Sequence, residues 1–507
     1  MAYDIIFVLG EVFFDHPLSG VAILKRLLEK NGYTVGIIEK PTTEEEIKRL
    51  GTPNLFFGVS SGAIDSMVRN YTPLKKLRSE DDYDNYEENV PDRAVIVYSN
   101  WIKKNFKDSK IILGGTEASL RRFTHYDYWQ NRLRKSILLD TRADLLVYGN
   151  GEKQILEVAQ RIKDGQEISE MLGTCLLSRE LPEGFTLLPS EEEVSESDQR
   201  SKEKFMQMQL LINNYTNLAQ KTGQRYVLQY KSPHYTPKDL DEYYELPFTR
   251  NAPKELRGFE FSVVTHRGCI GNCSFCSLSL IQGDKIISRS EESILREIKE
   301  LAKLNHFKGN IDDLGGPSVN MYGMDCHKCH RDCIDCKTLD RSNTRLISLL
   351  KKTRQIPGVK NVYIRSGVRY DLATKEYIEE LARHHIYDTL RIAPEHINKK
   401  VLKLMNKDYG NLKEFLQFFD SLKSGKRLSY YFITAYPGSS MKEAEELAQF
   451  IKGWKNVSLQ IFTPTPMSLA TCMYYTALDK DMAKINVPYS YNEKKEQKRV
   501  VMKDLAD

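Results

Sequence analysis

Thr265-His-Arg-Gly-Cys269-Ile-Gly-Asn-Cys273-Ser-Phe-Cys276 is the stretch whose reading decides the fold of this chain. Its three cysteines stand as C-x3-C-x2-C, directly after the apolar run 261–264, which reads as a strand. Three thiolates at this spacing wrap a loop around a metal centre, yet they stop one short of the four that close a structural zinc site. A [4Fe–4S] cluster held by only three cysteines keeps one iron open to a small ligand.

Working outward, strand and helix patterns alternate from Gly258 onward. Candidate strands are 261–265, 310–314, 361–365, 389–393, 429–434 and 458–462, and candidate helices are 291–304, 344–353, 375–384, 412–422 and 442–452. Six β/α units suit a partial (β/α)6 barrel, with the thiol loop at the C-terminal end of its first strand, where barrel active sites gather. The N-terminal part alternates as well: strands at 4–9, 34–38, 54–60, 110–113 and 144–148, helices at 20–31 and 90–106, and another helix from Glu152. That pattern predicts an α/β domain with a doubly wound parallel sheet, which binds ligands at the carboxyl ends of its strands. The expected division is an N-terminal α/β domain over 1–165, a connecting region over 166–257, a barrel over 258–480 with a Cys-rich insertion at 320–340, and a charged segment over 481–507. In that last segment the basic run 494–499 reads as a solvated face.

Composition bounds the function. The chain has 507 residues, 41% hydrophobic and 28% charged, and a net charge of +5, so no global field points to nucleic acid or a membrane surface. The N-terminus, Met1-Ala-Tyr-Asp-Ile-Ile-Phe-Val-Leu-Gly10, carries an acid where a signal peptide wants bases, and reads as a first strand. No apolar run approaches the roughly 18 residues that span a bilayer, and the expected location is cytoplasmic. Seven of the nine cysteines fall between 269 and 336 in two tight groups, which in a reducing compartment means metal rather than disulfides. Cys175 and Cys472 stand alone and read as small apolar core residues.

The second thiol group, Cys326-x2-Cys329-x3-Cys333-x2-Cys336, lies in the insertion after the second barrel strand. Four thiolates close a zinc site or hold an auxiliary iron–sulfur cluster, and the compact spacing favours the cluster. In the N-terminal domain, the turn Asp15-His16-Pro17-Leu18-Ser19-Gly20 resembles the loop with which some cobalamin-binding domains offer a histidine to cobalt. Asp15 and His16 are adjacent here, however, and an ordinary turn with Ser19 capping a helix explains the segment equally well.

Several stretches together resemble the YgiQ-type radical SAM proteins, a family without an assigned substrate. They are 265–297 (THRGCIGNCSFCSLSLIQGDKIISRSEESILRE), 114–149 (GGTEASLRRFTHYDYWQNRLRKSILLDTRADLLVYG), 313–322 (DLGGPSVNMY), 363–372 (YIRSGVRYDL) and 462–475 (FTPTPMSLATCMYY). The resemblance implies a [4Fe–4S] cluster on Cys269, Cys273 and Cys276, S-adenosylmethionine on its open iron, an external electron donor of flavodoxin or ferredoxin type, and a 5′-deoxyadenosyl radical that abstracts hydrogen from a substrate. It also implies S-adenosylmethionine contacts at Phe275, Gly315 and Gly316, with Pro317 standing where an acid often follows the glycine pair. Arg365, Ser366 and Glu395 are ribose or carboxylate contacts on this reading, or else barrel-rim ion pairs. His266 and His396 are candidate bases, or structural histidines. The stretch 401–407 (VLKLMNK) resembles methylthiotransferases, which gives a second reading as an RNA or protein modifier. A third reading is a binding or electron-carrier protein in which metal only holds structure.

Overall fold

The computed structural model describes residues 2–78, 90–196, 198–251, 258–326, 333–503 and 505. The chain forms two compact units: Met1–His234 with Leu246–Glu255 and Thr463–Lys484, and Tyr235–Glu245 with Leu256–Phe462 and Ile485–Asp507.

The first unit is built on a nine-stranded sheet. Its strands run in the order Val35–Glu39, Ile5–Leu9, Phe56–Ser60, Lys110–Leu113, Leu145–Val147, Thr174–Ser178, Arg225–Gln229, Leu218–Thr222, Thr186–Leu188. The first five pair in parallel, as the strand–helix alternation predicts. Every residue of Ile5–Leu9 is buried, which a central parallel strand covered on both faces requires. The helix Gly20–Lys30 starts where Ser19 Oγ accepts the Ala22 N–H, and packs Val21 and Leu28 on that sheet.

The stretch 166–257, read above as a connection, instead supplies the last four strands of this sheet. The reason it reads as irregular is chemical. The buried positions of its strands include Gln220, Thr222 and Gln229, so the apolar alternation is missing. The buried amides have work to do: Gln229 Oε1 accepts from Arg122 Nε at 2.7 Å, and Gln220 Oε1 from the Thr124 N–H at 2.9 Å.

The second unit is the open barrel. Its first strand, Ser262–Val264, pairs in parallel with Asp313–Gly315, and Asn310–Ile311, just before it, pairs with Asn361–Val362. A parallel bridge from Val368, in the segment after the third strand, to Ile392 leads to Thr389–Glu395, followed by Arg427–Thr434 and Val457–Ile461. Six strands in chain order, all parallel, give the partial barrel expected from the sequence. The covering helices bury Ile294, Ile298, Leu349, Leu350, Ile378 and Leu381 against them.

Two boundaries differ from expectation. The segment Thr463–Lys484, assigned above mostly to the barrel, belongs to the first unit. Its helix Leu469–Thr476 is buried on nearly all sides, unlike an amphipathic barrel helix, and stacks Tyr475 on Tyr126 and Phe205, with Cys472 Sγ 3.7 Å from Met206 Sδ. The charged end of the chain is solvated on one side only. In the helix Tyr491–Met502, Lys494, Gln497 and Val501 are buried, and Gln497 Oε1 accepts the Ala435 N–H at 3.0 Å. Among the described residues, no helix is long and apolar enough to cross a membrane.

Candidate metal centre

The thiol loop leaves the first barrel strand through His266–Arg267, which pairs with Ile287–Ser288. Gly268 then takes φ +87°, and any Cβ there would overlap the Lys285 carbonyl, so only glycine fits. The Cys269 N–H donates to the Gly283 carbonyl at 3.1 Å and the Cys276 N–H to the Cys273 carbonyl at 2.9 Å, closing the loop on itself. The segment after the fourth strand braces it from outside. Ser274 N–H donates to the Met405 carbonyl at 2.9 Å, Asn406 Nδ2 to the Asn272 carbonyl at 3.0 Å, and Tyr436 OH to the Leu404 carbonyl at 3.2 Å.

Burial holds the Cys269 thiol above its ordinary range, and Cys273 adds to that, while Arg369 and Lys407 pull the other way. Lost solvation raises Cys276 too, with Cys273 and Cys269 contributing, although that residue keeps an exposed face. Both thiols are thereby held toward the protonated form, and a metal must displace those protons to bind. Among the described residues, no three Cys, His, Asp or Glu side chains are grouped to hold a single metal ion. A cubane cluster asks for something else: each thiolate takes its own iron, so the sulfurs ring a volume rather than meet at a point. Three cysteines carried on one glycine-shaped loop fit that demand.

Around the loop lie charged residues that do not face bulk water. Glu395 ends the fourth strand with φ +64°, after a register slip between Ile392 and Glu395. Bulges of this kind re-aim side chains next to active sites. Its Oε1 accepts from Lys407 Nζ at 3.0 Å, its Oε2 has no hydrogen-bond partner, and burial raises its pKa against the pull of Lys407. Lys407 Nζ also stands 5.8 Å from the Phe275 ring centroid, and that ring meets Tyr436 edge-on at 6.5 Å. Arg369 Nη1 donates to Cys273 Sγ at 3.5 Å, while its Nε and Nη2 grip Asp371.

The glycine pair lies one strand over. Gly315 O accepts the Thr265 N–H at 2.8 Å, and a Cβ on Gly316 would overlap the His266 ring. Asp313 accepts the Arg365 and Ser366 N–H groups at 2.8 and 3.2 Å, and the Ser366 hydroxyl as well. The structure thus gathers Phe275 and Glu395 at the thiol loop and seats Ser366 beside Gly315. It sends the Arg365 guanidinium to the Gly258 carbonyl at 3.0 Å on an exposed edge. His266 and His396 are both buried, and burial lowers each to about 4, so both are neutral at pH 7. His266 Nδ1 bonds the Thr265 hydroxyl, and His396 Nδ1 accepts the Asn398 N–H.

Arg369, Asp371, Asp313 and Lys407 were not singled out from sequence. Each lay inside a stretch already recognised: 363–372, 313–322 or 401–407. What sequence could not supply was which of several charged residues in those stretches turns inward.

Of the second thiol group, Cys329 lies outside the described residues. Cys333 is buried with Ile270, Ile286, Met321 and Leu372 in one apolar cluster, against which Cys269, Cys326 and Cys336 also pack. Lys285 Nζ donates to Cys333 Sγ at 3.0 Å. In the first unit, His16 does not fit the cobalt-ligand role suggested by its loop. It is fully buried and stacked on Phe14, with Nδ1 accepting the Leu18 N–H at 3.0 Å and Nε2 at 3.0 Å from Arg250 Nη1. Adjacent Asp15 is taken by Arg26 and the Thr249 N–H, which turns the loop inward as a structural corner.

Comparison with known proteins gives this geometry a lineage. Residues 1–262 match the family described as Radical SAM N-terminal, and residues 263–451 match the Radical SAM superfamily. Among solved structures, the radical S-adenosylmethionine methyltransferase TsrM from Kitasatospora setae, with cobalamin and a [4Fe-4S] cluster bound, superposes with a TM-score of 0.54 at 14% identity, over 92% of this chain and 77% of that one. The cobalamin-dependent radical enzyme OxsB gives 0.53 at 13%, over 100% and 58%. At such identities the likeness is one of fold. A UPF0313 protein of Methanocaldococcus jannaschii is 44% identical over 98% of this chain and 89% of its own length, and one of Fusobacterium nucleatum 39% identical over 98% and 95%. On that whole-length similarity, the chain belongs to the UPF0313 (YgiQ-type) family of radical SAM enzymes.

Proposed function

We propose that Cys269, Cys273 and Cys276 hold a [4Fe–4S] cluster whose open iron binds S-adenosylmethionine, and that the enzyme abstracts hydrogen from a substrate at the barrel mouth. The observation that carries the reading is the thiol loop itself: Cys269, Cys273 and Cys276 follow the C-terminal end of the first strand on one loop shaped by Gly268. When bound, the cluster and S-adenosylmethionine supply one-electron reductive cleavage of a carbon–sulfur bond. The protein's own part is to bind, orient and exclude water. Phe275 and Tyr436 offer a dry aromatic wall for a purine. Glu395 Oε2 is an acceptor for a ligand hydroxyl or ammonium, held by Lys407 in a bulged, strained position that the ligand rewards. Ser366, fixed by Asp313, stands beside Gly315.

Anaerobically reconstituted protein given S-adenosylmethionine and dithionite should release 5′-deoxyadenosine and methionine, and Cys273→Ala should abolish this while circular dichroism stays unchanged. A full cluster with no cleavage would overturn the reading. We further read Cys326, Cys329, Cys333 and Cys336 as a second thiolate-held centre, supported by the apolar cluster that Cys333 shares with Cys269. A donor of flavodoxin or ferredoxin type completes the reading.

A further inference from the structure

The loop cysteines are not electrostatically equivalent. Cys273 alone of the three receives a hydrogen bond from a guanidinium, Arg369 Nη1 at 3.5 Å. That guanidinium is held by Asp371: Nε donates to Asp371 Oδ1 at 2.8 Å and Nη2 to Asp371 Oδ2, while the Arg369 backbone N–H donates to Asn320 Oδ1 at 3.0 Å and its carbonyl accepts from Asn320 Nδ2 at 2.8 Å. Arg369 and Asp371 have side chains only 7% and 2% exposed, so water does little to screen them. Room for the approach comes from Gly271, where a Cβ would stand 2.5 Å from Arg369 Nη1. The bidentate grip matters, because a free arginine would satisfy itself elsewhere, whereas this one has a single nitrogen left to aim at sulfur.

We propose that Arg369 is a positioning residue that sets the reduction potential of the cluster held by this loop, with Asp371 as its counterweight. The inference rests on the proposed reading of Cys273 as a cluster ligand. Adding an electron makes the cluster more negative, and a charged donor on a ligand sulfur stabilises that state more than the oxidised one, so the potential rises. The positive end of the Arg369–Asp371 pair faces the sulfur and the negative end lies behind it. Removing each member alone must therefore move the potential in opposite directions.

The test uses full-length protein, reconstituted anaerobically and titrated with dithionite and mediators, with the reduced cluster read by electron paramagnetic resonance and iron and sulfide counted on the same samples. Arg369→Gln should lower the midpoint: at the ambient potential that half-reduces the wild type, the reduced-to-oxidised ratio falls about tenfold, or about 59 mV for one electron. Asp371→Asn should raise it, and Arg369→Lys should recover most of the loss. Since Arg369→Gln strands a buried carboxylate and risks misfolding, the double variant Arg369→Gln/Asp371→Asn removes both charges together, and its midpoint should also fall below the wild type. A full iron count with unmoved potentials in the double variant, or shifts of the same sign in both single variants, would remove the inference and leave the cluster reading intact. A wild type that takes up no iron and sulfide would remove both.

Discussion

The buried histidines of this molecule are tuned by burial more than by neighbours, and that has a measurable consequence. His396 sits almost fully buried with its Nδ1 committed to the Asn398 N–H, and burial lowers it to about 4 against a weaker opposing pull from Glu443. In the unfolded chain it titrates near 6.5. Between those values the unfolded state binds the extra proton, so stability falls as pH drops through this window. The expected loss from this one group is about 2 kcal/mol between pH 7 and pH 5. His396→Asn keeps an acceptor for Asn398 but cannot titrate, so urea unfolding of the variant should lose about 2 kcal/mol less over the same interval. Equal losses in both proteins would mean that the ring is solvated in solution. The sequence named His396 as a candidate base because histidine near a strand end invites that reading. Its burial, which decides the matter at this scale, comes from the bulge before it, and nothing local in the sequence announces a bulge.

At the scale of elements, legibility followed the strength of the periodic signal. Parallel strands buried on both faces, such as Ile5–Leu9, and amphipathic helices, such as Glu291–Leu301, were readable because their patterns are unbroken. Leu218–Thr222 and Arg225–Gln229 were not, because their buried positions hold glutamine and threonine for hydrogen bonds to Arg122 and Thr124. The C-terminal helix failed for a related reason: its charge density hides a buried stripe of Lys494, Gln497 and Val501. Val501, 1% exposed, packs with Leu447, Ile451 and Leu459. Val501→Asp should therefore cost about 3 kcal/mol by burying an unpaired charge, whereas Lys495→Asp on the exposed side should change stability by less than about 0.5 kcal/mol. Equal, small effects on chemical denaturation would show a helix that does not dock.

Across the whole molecule, the family was legible from sequence because its stretches run from 114 to 475, and the barrel was legible because six β/α units can be counted. The metal content is harder to read, since four of the seven clustered cysteines lie in an insertion with no strand or helix pattern of its own. The structure adds one argument. Residues 283–286 touch both thiol groups: the Gly283 carbonyl accepts the Cys269 N–H, the Lys285 ammonium reaches Cys333, and Ile286 joins the apolar cluster shared by Cys269, Cys326, Cys333 and Cys336. A lysine at the Cys333 sulfur and a wall shared with the first loop would serve a second cluster that exchanges electrons with the first. If the second group holds a cluster, anaerobically reconstituted protein should carry about eight irons and eight sulfides per chain, falling to about four when Cys326, Cys333 and Cys336 are changed together to serine. The reductive cleavage of S-adenosylmethionine by dithionite should survive that triple change, because the first three thiols are untouched, while reduction through a protein donor should slow. About four irons with one zinc in the wild type would replace the second cluster with a structural ion, and would leave the first loop as the sole redox centre.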